Sequence, residues 1–124
     1  GDVYKRQAQA VQEACLGGDR RVVSFGGGTI LPQANLAAAK QCGKVILLRA
    51  TAETIWQRMQ SDCKTGAERP SLTDKDGWSE VVQLLEERRA PYEAAADFAI
   101  STDTMEPDEV AGRILTWLKI HRFI

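Results

Sequence analysis

Three consecutive glycines, Gly26-Gly27-Gly28, follow the short apolar run Val22-Val23-Ser24-Phe25 and lead into Thr29-Ile30. Glycine has no Cβ, takes positive φ without steric cost, and lets backbone N–H groups come within hydrogen-bonding reach of a bound molecule. Three in a row exceed what a simple turn needs. The stretch therefore reads as a strand meeting a ligand-facing loop, with a flexible connector as the alternative. Planar, permanently charged groups are offered by Arg58, by Arg69 before Pro70, and by the pair Arg88-Arg89 ahead of Pro91-Tyr92. Read alone, Glu86-Glu87-Arg88-Arg89 is solvated charge completing a helix end, and Arg58 is a helix-surface arginine.

Metal and thiol chemistry is not signalled. Cys15, Cys42 and Cys63 are an odd number, widely spaced, with no second Cys or His at metal-ligand spacing, which fits a reduced cytoplasmic protein. His121 has no Asp or Cys partner in sequence, and Trp56, Trp78 and Trp117 lie on apolar stripes, as core or rim residues rather than stacking platforms. The pattern G-x-x-x-x-G-K-[ST] does not occur. A backbone phosphate cradle, its lysine and its magnesium-binding hydroxyl are therefore missing from these 124 residues.

The chain is long enough for one domain with a genuine core, and its 44% hydrophobic and 27% charged residues are ordinary globular values. A net charge of -1 gives no general attraction to nucleic acid or acidic membranes, so any phosphate binding must be local. No apolar run approaches a membrane span and no signal peptide is visible. The stretch Gly1 to Gln7 carries no interpretable pattern and reads as a truncated or spliced start.

The elements that must position these groups follow from periodicity. A helix is expected over Ala8 to Leu16, stopped by Gly17-Gly18, and then the strand Val22 to Phe25. Pro32 can begin a helix ending near Gly43, and the continuous apolar run Lys44 to Leu48 looks like a strand buried on both faces of a parallel sheet. Thr51 can cap a helix placing Ile55, Trp56 and Met59 on one side. From Gln60 to Gly77 the periodicity disappears, as in a functional lid or a disordered loop, and the lid is the expectation. Trp78 to Arg89, with Val81, Val82, Leu84 and Leu85, makes an amphipathic helix expected to break at Pro91 and resume through Ala94 to Ala96. Phe98 to Ser101 is a third strand, and Pro107 opens a last helix with Val110, Ile114, Leu115, Trp117 and Leu118 facing in. Strands separated by helices imply an α/β fold whose strands lie parallel in one sheet, with flanking helices and the glycines at a strand's carboxyl end.

The order VVSFGGG, KVILL, ERPSL, EERRAPYEAAAD and STDTMEP resembles the C-terminal two-thirds of a shikimate kinase, over nearly all of Arg21 to Leu118. The resemblance implies a P-loop NTPase fold of the nucleoside-monophosphate-kinase type, here N-terminally truncated. It also implies transfer of the γ-phosphoryl of ATP, with Mg²⁺, to the 3-hydroxyl of shikimate in the cytoplasm, by a protein expected to be monomeric and to bind neither nucleic acid nor membrane.

By the same resemblance Gly26, Gly27 and Gly28 line the shikimate ring, and Ser24 stands near the magnesium hydration shell at the end of a Walker-B-like strand. Arg69 is similar to the lid arginine that swings onto the ATP phosphates, where a guanidinium stabilises the charge spreading over the phosphoryl oxygens. Ser71 stands where the family usually has Leu, with the arginine and proline intact. The family's Arg-x-Pro-x-Tyr arginine forks onto the shikimate carboxylate. Counting back from Tyr92 selects Arg88 and counting back from Pro91 selects Arg89, with Arg88 favoured. Adenine is expected between Arg58 and the Met105 to Pro107 turn. The family's Walker A segment, its early aspartate and its Phe-Arg clamp all precede Gly1, so the chain is expected to be inactive alone. Two other classes stay open: a gluconate- or nucleotide-kinase-like enzyme of the same fold, and a non-catalytic kinase-like binding module.

Overall fold

A computed structural model describes residues 2–15, 20–62 and 75–124. Its elements run α1 (Asp2–Cys15), α2 (Gln33–Cys42), β1 (Ile46–Arg49), α3 (Ala52–Asp62), α4 (Lys75–Ala95), β2 (Phe98–Ser101) and α5 (Pro107–Ile120). The expected alternation of helices with parallel strands is present, but the sheet has two strands among the described residues. Val45 O accepts from the Asp97 and Phe98 N–H groups at 2.7 and 3.3 Å, and Arg49 O accepts from the Thr102 N–H at 2.8 Å. The register advances along both strands in the same sense, which is the parallel arrangement.

The third expected strand, Val22 to Phe25, is not formed. A strand exists only through the ladder bonds of a partner, and among the described residues only β1 and β2 pair. Val22 is fully exposed at 101% in consequence. For the same reason β1 is not buried on both faces: Ile46 and Leu47 are half-buried, whereas Leu48 and Arg49 are exposed.

α1 begins at Asp2, before the expected Ala8. Its inward line runs through Gln7 to Val11, which is 3% exposed, and hydrophobic periodicity cannot register a turn whose inward residue is a glutamine. The Gly17-Gly18 stop lies outside the described residues. α2 agrees with expectation, with Pro32 as N-cap and Gly43 as C-cap. α3 is capped as expected, the Thr54 N–H donating to Thr51 Oγ1 at 3.2 Å. It continues to Asp62 and α4 starts at Lys75, so both ends of the supposed Gln60 to Gly77 lid are helical. Residues 63–74 lie outside the described residues.

α4 passes through Pro91 without the expected break. Proline removes one N–H and disturbs one turn. Beyond it the helix is closed again, the Ala96 N–H bonding Tyr92 O at 3.1 Å. Its inward stripe is Trp78, Val81, Leu85, Arg88, Tyr92 and Ala95, spaced alternately by three and four, while Val82 and Leu84 are exposed contrary to expectation. On α5 Val110 is buried and Ile114, Trp117 and Leu118 are half-buried, but Leu115 is turned out at 48%. Among the described residues no helix is long and apolar enough to cross a membrane.

The chain divides into two compact units, Gly1–Leu47 with Glu87–Phe98, and Leu48–Glu86 with Ala99–Ile124. In the first, α1 packs on α2 and the buried residues are Val11, Ile30, Thr29, Asn35 and Ala95. In the second they include Val81, Ile100, Thr102 and Val110, with Trp56 and Trp78 edge to face at 5.9 Å. Trp117 packs with His121 and Phe123.

Candidate functional site

The glycines form a tight turn in the first unit. The Thr29 N–H donates to Gly26 O and the Leu31 N–H to Gly28 O, each at 3.1 Å, and Gly28 has φ +84°. Only glycine takes that conformation without strain. Behind the turn Thr29 and Asn35 are buried polar residues, and both are satisfied. Asn35 Nδ2 donates to Thr29 O at 2.8 Å, and Gln7 Nε2 donates to Thr29 Oγ1 at 3.2 Å. These bonds fix the turn at its C-terminal end.

The other face of the turn meets α4. Arg88 and Tyr92 stand one helical turn apart on the inward stripe, so one helix delivers both to the glycines. Tyr92 Oη accepts the Gly28 N–H at 3.0 Å. Arg88 Nη1 lies 2.9 Å from the point a Cβ would occupy on Gly27, and Nη2 3.4 Å from that of Gly28. Arg88 is half-buried, and its guanidinium has no ion-pair or hydrogen-bond partner among the described residues. A fork of N–H donors beside exposed backbone, with no carboxylate to neutralise it among the described residues, suits a planar oxyanion such as a ligand carboxylate. Arg89 is exposed.

In the second unit Arg58 is employed internally. Its Nη1 donates to Thr102 Oγ1 at 3.1 Å and its Nη2 to Thr102 O at 2.9 Å. Buried Thr102 in turn donates its hydroxyl to Arg49 O at 2.9 Å, and the Met105 N–H reaches Thr102 O at 3.4 Å. Arg58, which is exposed, thus comes close to the Met105 to Pro107 turn expected at adenine, and is held there through Thr102. Asp103 accepts from the Thr51 N–H at 2.9 Å and from Ser101 Oγ at 3.1 Å. The Thr51 N–H, then the hydroxyls of Thr54, Ser101 and Thr51, outweigh desolvation and hold its carboxyl below the ordinary value.

Ser24 is exposed in the unpaired stretch, not at the end of a strand, because that strand has no partner. Arg69 lies outside the described residues. Among the described residues no group of three His, Cys, Asp or Glu side chains is placed to hold a metal ion. The residues missed by sequence reasoning are Tyr92, which carried no role, and the Gln7, Thr29 and Asn35 set. The alternating three-and-four spacing from Trp78 to Ala95 was the signal for the first. The second has none, since an inward polar side chain looks like a surface one until its partner is known.

The family model described as shikimate kinase matches residues 2–119. A shikimate kinase of Rhodopirellula baltica is 34% identical over 96 residues, 77% of this chain and 51% of that protein. A shikimate kinase 2 of Serratia proteamaculans is 36% identical over 99 residues, 80% of this chain and 56% of its own length. One of Yersinia enterocolitica is 34% identical over 110 residues, 89% and 61%. The chain thus spans about half to three-fifths of the length of the curated relatives it matches. The motifs, the glycine turn beneath an α4 arginine and a match over all but a few residues agree, and the chain belongs to the shikimate kinase family.

Proposed function

We propose that this chain is the shikimate-binding portion of a shikimate 3-phosphotransferase of aromatic amino-acid biosynthesis, lacking the family's Walker A segment. The observation that carries the reading is the guanidinium of half-buried Arg88, without an anionic partner among the described residues, beside Gly27 and Gly28. Arg88 forks onto the substrate carboxylate, and Gly26 to Gly28 let the ring approach the backbone where any side chain would intrude. Held at both places, the substrate keeps one orientation, and positioning is one of the two contributions, beside charge stabilisation, that a protein makes to phosphoryl transfer.

ATP and Mg²⁺ belong to the family's reaction, and their contacts in this chain are assigned by resemblance. Arg58 bonds Thr102 and Ser24 stands off any strand end. Arg69 is assigned the phosphates by resemblance alone, with Met105 and Pro107 at adenine. The reaction is accordingly assigned to the parent enzyme, cytoplasmic and monomeric.

Calorimetric titration of shikimate into the chain and its variants tests the assignment. Arg88→Lys should weaken binding by roughly tenfold, because an ammonium cannot reproduce a bidentate fork, whereas Arg89→Lys should stay within about twofold. Equal and small effects would return both arginines to the surface.

A further inference from the structure

The glycine turn is held from two sides, and the two holds differ in kind. On the α1–α2 side, Gln7 and Asn35 secure Thr29. On the α4 side, a bond from the Gly28 N–H to Tyr92 Oη secures the one glycine with positive φ among the described residues. Gly28 has many alternative conformations open to it, so a bond at its own amide restricts it more than a bond further along the chain. The same helix carries Arg88 one turn away, with its Nη atoms 2.9 and 3.4 Å from the Cβ positions of Gly27 and Gly28. Tyr92 therefore ties the glycines to the helix that bears the arginine, and sets the distance between the two surfaces a carboxylate-bearing ring would touch.

We infer that Tyr92 is a positioning residue for the substrate of this site: it acts on shikimate through the placement of Gly28 opposite Arg88. The inference rests on the reading of the site as a shikimate pocket. Phenylalanine at position 92 keeps the ring and removes only the acceptor, so the helix and its packing survive while the Gly28 amide is released.

Two measurements on the 124-residue chain test this. Amide exchange followed by NMR without ligand should show the Gly28 N–H exchanging at least about tenfold faster in Tyr92→Phe, since one intramolecular bond is lost. The Thr29 and Leu31 amides, bonded within the turn, should stay near their original rates. Shikimate titration of the same variant should show affinity lowered by roughly fivefold, about the worth of one neutral hydrogen bond. Combined with Arg88→Lys, the losses should fall short of multiplying, because both changes act on one contact.

A Gly28 amide unchanged in Tyr92→Phe overturns the inference. So does a faster amide with unchanged affinity, or equal acceleration of Gly28, Thr29 and Leu31, which would make Tyr92 a general support of the turn. If the unmodified chain takes up no shikimate at millimolar concentration, the substrate reading itself falls. If it binds and Tyr92→Phe binds equally, only the present inference does.

Discussion

A methyl group at position 27 would arrive 2.9 Å from Arg88 Nη1, closer than carbon and nitrogen tolerate without something moving. The atom it meets is the far end of a flexible side chain, so the guanidinium swings away at little cost to folding. Gly27→Ala should therefore change urea-unfolding stability by less than about 1 kcal/mol while weakening shikimate binding as much as Arg88→Lys does. Gly28→Ala differs because φ +84° is strained for any residue with a Cβ. It should cost about 1–2 kcal/mol of stability, read as a lower urea midpoint. A Gly27→Ala variant that binds shikimate normally would show that Arg88 has room to recognise the carboxylate from elsewhere.

Between elements, two aspartates act as clamps. Asp97, at the junction of α4 and β2, accepts from the Val45 N–H at 2.7 Å and pairs with Lys40 of α2 at 2.9 Å. Burial pushes its carboxyl up, but the Val45 N–H, the Lys40 bond and charge, and Lys44 together hold it below 3.8. A depressed carboxylate stabilises the fold above the unfolded-state pKa and loses that contribution as pH falls through the lower folded-state value. Asp97→Asn keeps an acceptor and loses the charge. It should be less stable than the parent chain at pH 7, with the gap closing below about pH 4, the ordinary carboxylate range. Urea midpoints of both chains across that window measure it, and a constant gap would remove the ion pair from the account. On α3, Thr51→Ala removes the oxygen that receives the Thr54 N–H and should cost about 1 kcal/mol, while Thr51→Ser should restore most of it.

At the scale of the whole chain, the phosphate-holding groups decide activity. Phosphoryl transfer depends on positioning and charge neutralisation, and no G-x-x-x-x-G-K-[ST] occurs in these 124 residues. A coupled ADP assay with shikimate should register no turnover by this chain alone. Adding the Walker A portion of a relative, in cis or as a separate peptide, should bring turnover. In the combined protein Arg69→Ala should depress turnover strongly with shikimate affinity nearly unchanged. Val22 at 101% and Val23 at 46% exposure leave a strand-like apolar run without a ladder, so the chain alone should also self-associate, which sedimentation measures. Shikimate-dependent ADP from the unaided chain would overturn this assignment of roles.

Local order and the family were legible in the residues alone. Pro32, Thr51 and Pro107 mark helix starts through their own dihedral or hydrogen-bonding preferences, and the apolar run Phe98 to Ser101 has the composition of the strand it forms with β1. The glycines announce a turn because no other residue type leaves that space. Tertiary structure decided what depends on a partner. Val22 to Phe25 has the composition of a strand, but a ladder needs a second backbone, which composition does not supply. Arg58 looks free until Thr102 is brought to it across 44 residues of chain. Arg88 and Arg89 are chemically identical neighbours, and only the 100° turn of a helix between them sends one toward the glycines and the other to the exposed side of α4.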